Sequence, residues 1–502
     1  MFRRTALAAT ALLAAGALFL TGCTGASPSP TEPAGEPDPS ASVAIRLVLE
    51  PGNLDIRETA GAALDQILID NVYQGLVSRT DEQEIVPGLA SDYEVSPDGL
   101  TYTFTLREGV TFHDGQELTP EDVVWSLGQV KENEAYRDSA RLAGVTDISA
   151  EGQTITLTLA EPDSTLLWNL TGRAGLVLKE GDDIDRQTAT NGTGPFALTD
   201  WKQGDSITFE RYDDYWGEPA QVAEVVFSYV SDNQAALSGA LAGDFDVLTG
   251  FDANLKDQIE AGGDFALVLG ESTDKATLAF NATEGPLADV RVRKAIRQAI
   301  DKDALVTAVG AGTTLFGPIP SLDPGYEDLA EVAPFDPEAA RALLADAGAE
   351  DLALTLTIPS AYGTTVPQVL VSNLRDVGVT LTVQPVEFPT WINDVYVNKD
   401  YELSFVLHTE AHDFENWANP DYYFTYDNPE VQRLYAESVA ATDPDEASSL
   451  LAQAARLVSE DHAADWLYNG ASVLAVATDI GGMPSVSVNE RLNLAELAKS
   501  TE

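Results

Sequence analysis

A second cysteine is missing from this chain: Cys23 is the only one in 502 residues. Disulfides within the chain, zinc sites built on cysteines and cysteine catalysis are therefore excluded. Histidine is scarce as well, at four residues, and no HExxH pattern joins any two of them. Glycine-rich phosphate loops of the Walker A and GxGxxG kinds are absent, which leaves nucleotide binding without a motif. GxSxG, the nucleophile elbow of α/β hydrolases, is absent too. A glycosidase needs only two acids, so composition leaves that class open. No internal repeat argues for a structural array. Basic residues are few: 28 Lys and Arg stand against 81 Asp and Glu, a formal charge of -53. Phosphate backbones are bound by Lys/Arg clusters, so this balance excludes a nucleic-acid partner. The acidity suits a soluble surface and does not identify a ligand.

Long hydrophobic runs are missing from all but the start. Arg3 and Arg4 precede an apolar stretch from Ala6 to Leu20, and small residues lead to Cys23. That order reads as a signal peptide over residues 1–22. The run falls short of the roughly 20 apolar residues of a spanning helix, so cleavage is expected. Leu20-Thr21-Gly22-Cys23 resembles a bacterial lipobox, which implies that Cys23 becomes the mature first residue and carries lipid. Each buried CH₂ contributes roughly 0.8 kcal/mol, so two or more acyl chains would hold the protein at a membrane surface. Residues 23–42, rich in Pro, Ser, Glu and Gly, read as a flexible tether.

The remainder is globular in composition, 44% hydrophobic and 8% aromatic, and long enough for two or three folded units. Strand-like "SVAIRLVL" precedes "AALDQILIDNVYQGLV", where Leu64, Ile67, Leu68, Val72 and Leu76 recur at helical spacing. Farther on, the alternating strand Thr101 to Leu106 lies between turns at Pro97-Asp98-Gly99 and Asp114-Gly115. Thr119-Pro120-Glu121-Asp122 then opens a helix, with Thr119 as N-cap. "ADVRVRKAIRQAIDKDALV" predicts one helix capped by Asp289, with Val290, Ala295, Ile296, Ala299 and Ile300 inward and its Arg and Lys on a solvated face. A βαβ-like series from about Ala276 to Leu407 looks like one lobe. Strands alternating with helices make this an α/β protein.

Three blocks in this order, "YQGLVSRTDEQEIVPGLASDYEVSPDGLTYTFTLREGVTFHDGQELTPEDVVWSL", "GTGPFALTDWKQGDSITFERYDDYWG" and "FNATEGPLADVRVRKAIRQAIDKDALV", resemble the solute-binding proteins of bacterial ABC importers. The branch is the one that carries peptides, nickel chelates and some oligosaccharides. The resemblance implies a two-lobed periplasmic-binding-protein-like fold of type II, with mixed sheets, an extra subdomain in lobe one and a hinge. Lobe one would comprise residues 43–86, 193–273 and 476–502, the inserted subdomain 87–192, and lobe two 274–475. It implies a non-enzymatic role: cargo is enclosed by hinge closure and passed to an ABC permease, with ATP hydrolysed elsewhere. The protein would be an exported monomer, lipid-anchored to the outer face of the cytoplasmic membrane, without cofactor. A small peptide is the expected ligand; a metal chelate or an oligosaccharide is the alternative, and a secreted hydrolase a more distant one.

In peptide-binding members a carboxylate after a second-lobe strand holds the peptide amine. Here that region is "YELSFVLHTEAHDFENWANPDYYF", which offers Asp413 first and Glu410 second. His408 and His412 bracket Glu410, an arrangement suited to a transition metal or its chelate, although no resident metal is expected. Trp417 and Tyr422 are the aromatics expected to wall the ligand. Phe280 and Asn281, in the linking strand, should lie near the cleft floor. His113, in the "FHDG" turn, is expected to be structural.

Overall fold

The computed structural model describes residues 36–59, 61–489 and 491–501. The expected signal peptide and the expected lipid site at Cys23 lie outside these. Pro37 forms a bridge to Ser500, and the Asp38 amide donates to the Lys499 carbonyl at 2.8 Å. The folded body thus already includes residues whose composition reads as tether. A Pro- and Ser-rich stretch gains order when the other end of the chain supplies a partner strand.

An eleven-stranded mixed sheet runs through the molecule. Its order is Thr380–Val386, Ala353–Pro359, Leu403–His408, Phe265–Phe280, Ala464–Ala477, Val247–Thr249, Ser42–Leu47, Glu224–Tyr229, Ser206–Arg211 and Phe196–Lys202, with Thr313–Thr314 paired to Ala464–Ala477 off this path. The two long central strands are antiparallel and belong to two hydrophobic cores in turn. Leu474 and Val476 pack with Val43, Ile45 and Phe227 in the first core. Ala276, Leu278, Phe280 and Leu467 pack with Ile296, Leu356 and Leu370 in the second. Two lobes joined by crossing strands follow from that division.

Where the strands pass between the cores, their register slips between Glu271 and Lys275. The Asn469 side-chain amide pins the irregularity by donating to the Ser272 carbonyl at 2.7 Å and the Asp274 carbonyl at 3.2 Å. Gly470 faces the same spot, and a Cβ there would lie 2.9 Å from Asp274 Cβ. Bulges bend strands and raise local twist, which suits a joint between lobes.

A four-stranded antiparallel sheet, ordered Ala90–Val95, Thr101–Leu106, Thr154–Leu159, Val145–Glu151, makes a third core with the helix Pro120–Glu132. Thr119 caps that helix in a capping box with Asp122. His113 sits in the adjoining turn, its Nε2 3.0 Å from the Gly194 carbonyl, a structural contact.

Two helical expectations need correction. The first helix spans only Ala62–Leu68, because Asn71 is claimed by the distant C-terminal segment. Its amide donates to the Leu492 carbonyl at 2.6 Å and its oxygen accepts from the Leu494 amide at 3.0 Å. Asp70 turns at φ 63 to allow this. The "ADVRVRKAIRQAIDKDALV" segment is two helices, Val290–Ala299 and Lys302–Val309, each with its own Asp cap, Asp289 and Asp301. Val290 is exposed, whereas Arg297 and Lys302 are buried.

Candidate functional site

A cavity of about 240 Å³ lies between the lobes. Lobe one supplies Arg79, Arg137, Arg141, Trp168 and Arg173 to its wall, and residues 409–412 supply the opposite one. Trp168 is held by the short helix Leu166–Leu170, which packs in the third core. His412 lies flat on its indole, with ring centroids 3.6 Å apart and planes 6° apart. The Arg79 guanidinium sits 4.4 Å from the same ring system, a cation–π distance. Nearby, Arg141 and Glu415 form an ion pair at 2.8 Å. Ser164 donates from its amide to the Val439 carbonyl at 2.8 Å and from its hydroxyl to the Ser438 carbonyl at 3.0 Å. The two walls are therefore in contact around the cavity.

The second-lobe wall follows the strand Leu403–His408. Its loop turns at His412, whose φ of 54 is unusual for a side-chain-bearing residue. The conformation is secured by its amide, which donates to Asp323 Oδ2 at 2.7 Å. Burial pushes the Asp323 carboxyl up to about 6, against the pull of Lys275. Burial, with Arg79 and Lys275 nearby, presses the His412 imidazole down to about 3, so its ring is neutral where it stacks.

Behind the loop, Lys275 Nζ pairs with Asp413 Oδ1 at 3.2 Å and donates to the Glu410 carbonyl at 2.6 Å. Burial works against this ammonium, but Asp413, Asp323 and Glu410 outweigh it and raise its pKa. The place where the resemblance puts a ligand amine on Asp413 is thus held by the protein's own ammonium. Asp413 is buried, whereas Glu410 is exposed and lines the cavity. His408 is buried, with Nε2 2.8 Å from the Tyr423 hydroxyl. The donor atoms of His408, Glu410 and Asp413 lie within 4.8 Å of one another.

The structure therefore brings Glu410 and His412 to the cavity and sets His408 and Asp413 just behind it. It places the other expected residues elsewhere. Trp417 is stacked on Phe424 at 3.9 Å and packs edge-on against Trp466 in the core. Tyr422 packs among Tyr396, Tyr423 and Phe424. Phe280 is fully buried in the second core. Asn281 donates to the Lys399 carbonyl at 3.1 Å and borders a separate cavity of about 550 Å³ within lobe two. Aromatic residue type alone does not separate core from wall, because both bury large rings. Sequence reasoning missed Arg79, Trp168, Lys275 and Asp323. Scarcity was the usable signal for the cations: in so acidic a chain, each arginine or lysine between apolar neighbours needs a reason.

The comparisons with known proteins agree with this architecture. The family model described as bacterial extracellular solute-binding proteins, family 5 middle, matches residues 84–429. The chain belongs to this family. Heme-binding protein A of Haemophilus influenzae is 32% identical over 312 residues, covering 55% of this chain and 56% of the relative. The dipeptide-binding protein of Escherichia coli is 31% identical over 325 residues, 58% and 60% of the two chains. The family-5 chain here thus matches a little over half the length of these relatives. Oligopeptide-binding protein AppA of Bacillus subtilis is 24% identical over 96% of both chains. Among solved structures, the substrate-binding protein CtaP of Listeria monocytogenes superimposes with a TM-score of 0.84 at 19% identity, covering 92% of this chain and all of that one. DppA of Helicobacter pylori, in complex with the peptide STSA, gives 0.79 at 20% identity over 92% and 98%.

Proposed function

We propose that this protein captures small peptides between its lobes and delivers them to the permease of an ABC importer, without chemical change. The observation that carries the reading is the interlobe cavity, whose walls differ in charge: Arg79, Arg137, Arg141 and Arg173 outnumber Asp65 and Asp138 on one side, and Glu410 backed by Asp413 stands on the other. A zwitterionic chain fits such a pair of walls. Within the cavity, Arg173 is tied to Asp65 and Arg141 to Glu415. Glu410 is the exposed acid on the second wall, and Asp413 behind it already holds Lys275. Dipeptide- and oligopeptide-binding relatives support the class of cargo.

We place the lobe boundaries at residues 273/274 and 475/476; the crossing strands change cores between Val268 and Ala276, which supports the first, and between Tyr468 and Leu474, a little before the second. Export, lipid attachment at Cys23 and a monomeric receptor complete the proposal. Closure would then be driven by ligand contacts to both walls, as differential affinity for the closed form requires.

The His408, Glu410 and Asp413 cluster gives a metal chelate its one specific argument. Lys275 opposes it by placing a positive charge where the cation would sit. Native mass spectrometry decides between them: a random tripeptide pool is expected to leave bound peptide mass on the protein. Retention of nickel–histidine or an oligosaccharide, with no peptide retained, would overturn the peptide reading.

A further inference from the structure

The buried arginines of this protein are nearly all saturated with hydrogen bonds, as the cost of burying a charge demands. Arg46 donates to the carbonyls of Val230, Thr249 and Ser231. Arg57 donates to the carbonyls of Arg173 and Leu176 and to the Ser126 hydroxyl. Arg173 holds Asp65 together with the carbonyls of Ile56, Thr59 and Gly61. Arg297 holds Asp465, the Ser459 carbonyl and the Phe316 carbonyl. Each of these cations is fully employed in holding the fold.

Arg79 differs. Among the described residues its guanidinium makes one hydrogen bond, a 3.3 Å contact from Nη2 to the Val488 carbonyl. Asp323 and Asp65 act on it through space, but neither forms an ion pair with it within 4 Å. One face rests on Trp168, and the side chain borders the interlobe cavity. A guanidinium presents a fork of N–H donors that matches a carboxylate in two parallel bonds. Arg79 has most of that fork unspent, beside empty space.

The other wall shows the converse. Asp413, the buried acid that follows the cavity-lining residues 409–412, has its cation built in: Lys275 pairs with it at 3.2 Å and is itself almost fully buried. An incoming ammonium would have to displace a tethered one. Resting on the peptide reading above, we infer that Arg79 is the residue that sets specificity. The ligand presents a carboxylate to the open face of this guanidinium, against Trp168, and a free amine is dispensable because Lys275 already satisfies Asp413. The receptor then takes N-blocked peptides as readily as free ones.

Three random tripeptide pools test this on the whole protein: unmodified, N-acetylated and C-amidated, with affinity followed by native mass spectrometry. The N-acetylated pool is expected to bind within about threefold of the unmodified pool, and the C-amidated pool at least about tenfold more weakly. In Arg79→Gln the acid and amide pools should bind within about threefold of each other, a loss of discrimination that a purely structural role would not produce. Equal binding of acid and amide pools by the unaltered protein overturns the inference and leaves the peptide reading standing. So does loss of binding on N-acetylation. Failure of all three pools to bind overturns both. Because the pool comparison uses the unaltered protein, it decides the matter even if Arg79→Gln does not fold.

Discussion

Lobe two contains two buried lysine–aspartate pairs, and their surroundings are opposite. Lys302 and Asp465 meet at 2.7 Å, with Arg297 3.3 Å from the same carboxylate oxygen. Lys302 also donates to the carbonyls of Leu315 and Trp466. This cluster is sealed beneath the helices Val290–Ala299 and Lys302–Val309. Lys275 and Asp413 meet at 3.2 Å directly behind the interlobe cavity. Each cluster also has a histidine pressed down to about 3 by burial and nearby arginine: His462 beside Arg297, and His412 near Arg79. The same chemistry thus serves as fold cement in one place and as the backing of a binding wall in the other. Solvent access to the neighbouring space makes the difference.

Breaking each pair should separate the two uses. Lys302→Met takes the nearer of two cations from the buried Asp465 carboxylate, leaving Arg297 alone to hold it, and should cost about 3 kcal/mol of stability, measured by denaturant unfolding. A loss below about 1 kcal/mol would place water near that cluster and undo the contrast.

The histidines sharpen it through pH. An imidazole whose folded pKa lies below its unfolded value binds fewer protons when folded, so its contribution to stability is present above about 6.5 and is lost as pH falls toward 3. Asp323, raised from 3.8 to about 6, has the opposite sign: the folded state binds more protons across that window, so its contribution falls as pH rises. In the cavity cluster the two slopes oppose each other between pH 4 and 6. His462→Asn should therefore remove about 1.4 kcal/mol per pH unit of acid lability over that range. His412→Asn should leave the Asp323 slope uncompensated, adding about the same slope with the opposite sense. Unfolding free energies measured at several pH values check both.

Lys275→Met should cost less than the Lys302 change, about 2 kcal/mol, because Asp413 lies next to a cavity and can take up a proton. Unlike Lys302→Met, it should raise affinity for free-amine peptides relative to N-acetylated ones, measured by calorimetry. Smallest of all, Glu410→Gln should leave the melting temperature unchanged, since the side chain is exposed, and weaken peptide binding by no more than about 0.6 kcal/mol, or about threefold.

Local signals carried the elements that depend on nearby residues. The Thr119 cap, the Asp289 cap and the strands Thr101–Leu106 and Leu403–His408 follow from turn chemistry and alternation. Elements decided by distant partners were not legible. The first helix stops early because Asn71 meets Leu492 and Leu494, and periodicity carries no trace of that. The loop around Glu410 was found through the resemblance to the family, and its acids and histidines then supplied the candidates. Its counterpart in lobe one was not, because Arg79 and Trp168 are far apart in sequence and converge only in the fold. Trp417 was misleading for a related reason: a ring in the core and a ring on a cleft wall satisfy the same hydrophobic pattern.

Hydrogen–deuterium exchange with and without the tripeptide pool tests the interlobe site most directly. Slowed exchange is expected in two separated segments at once, residues 165–173 on one wall of the cavity and residues 409–413 on the other. Protection confined to one of them, or appearing instead around residues 394–402 beside the second cavity, would contradict it.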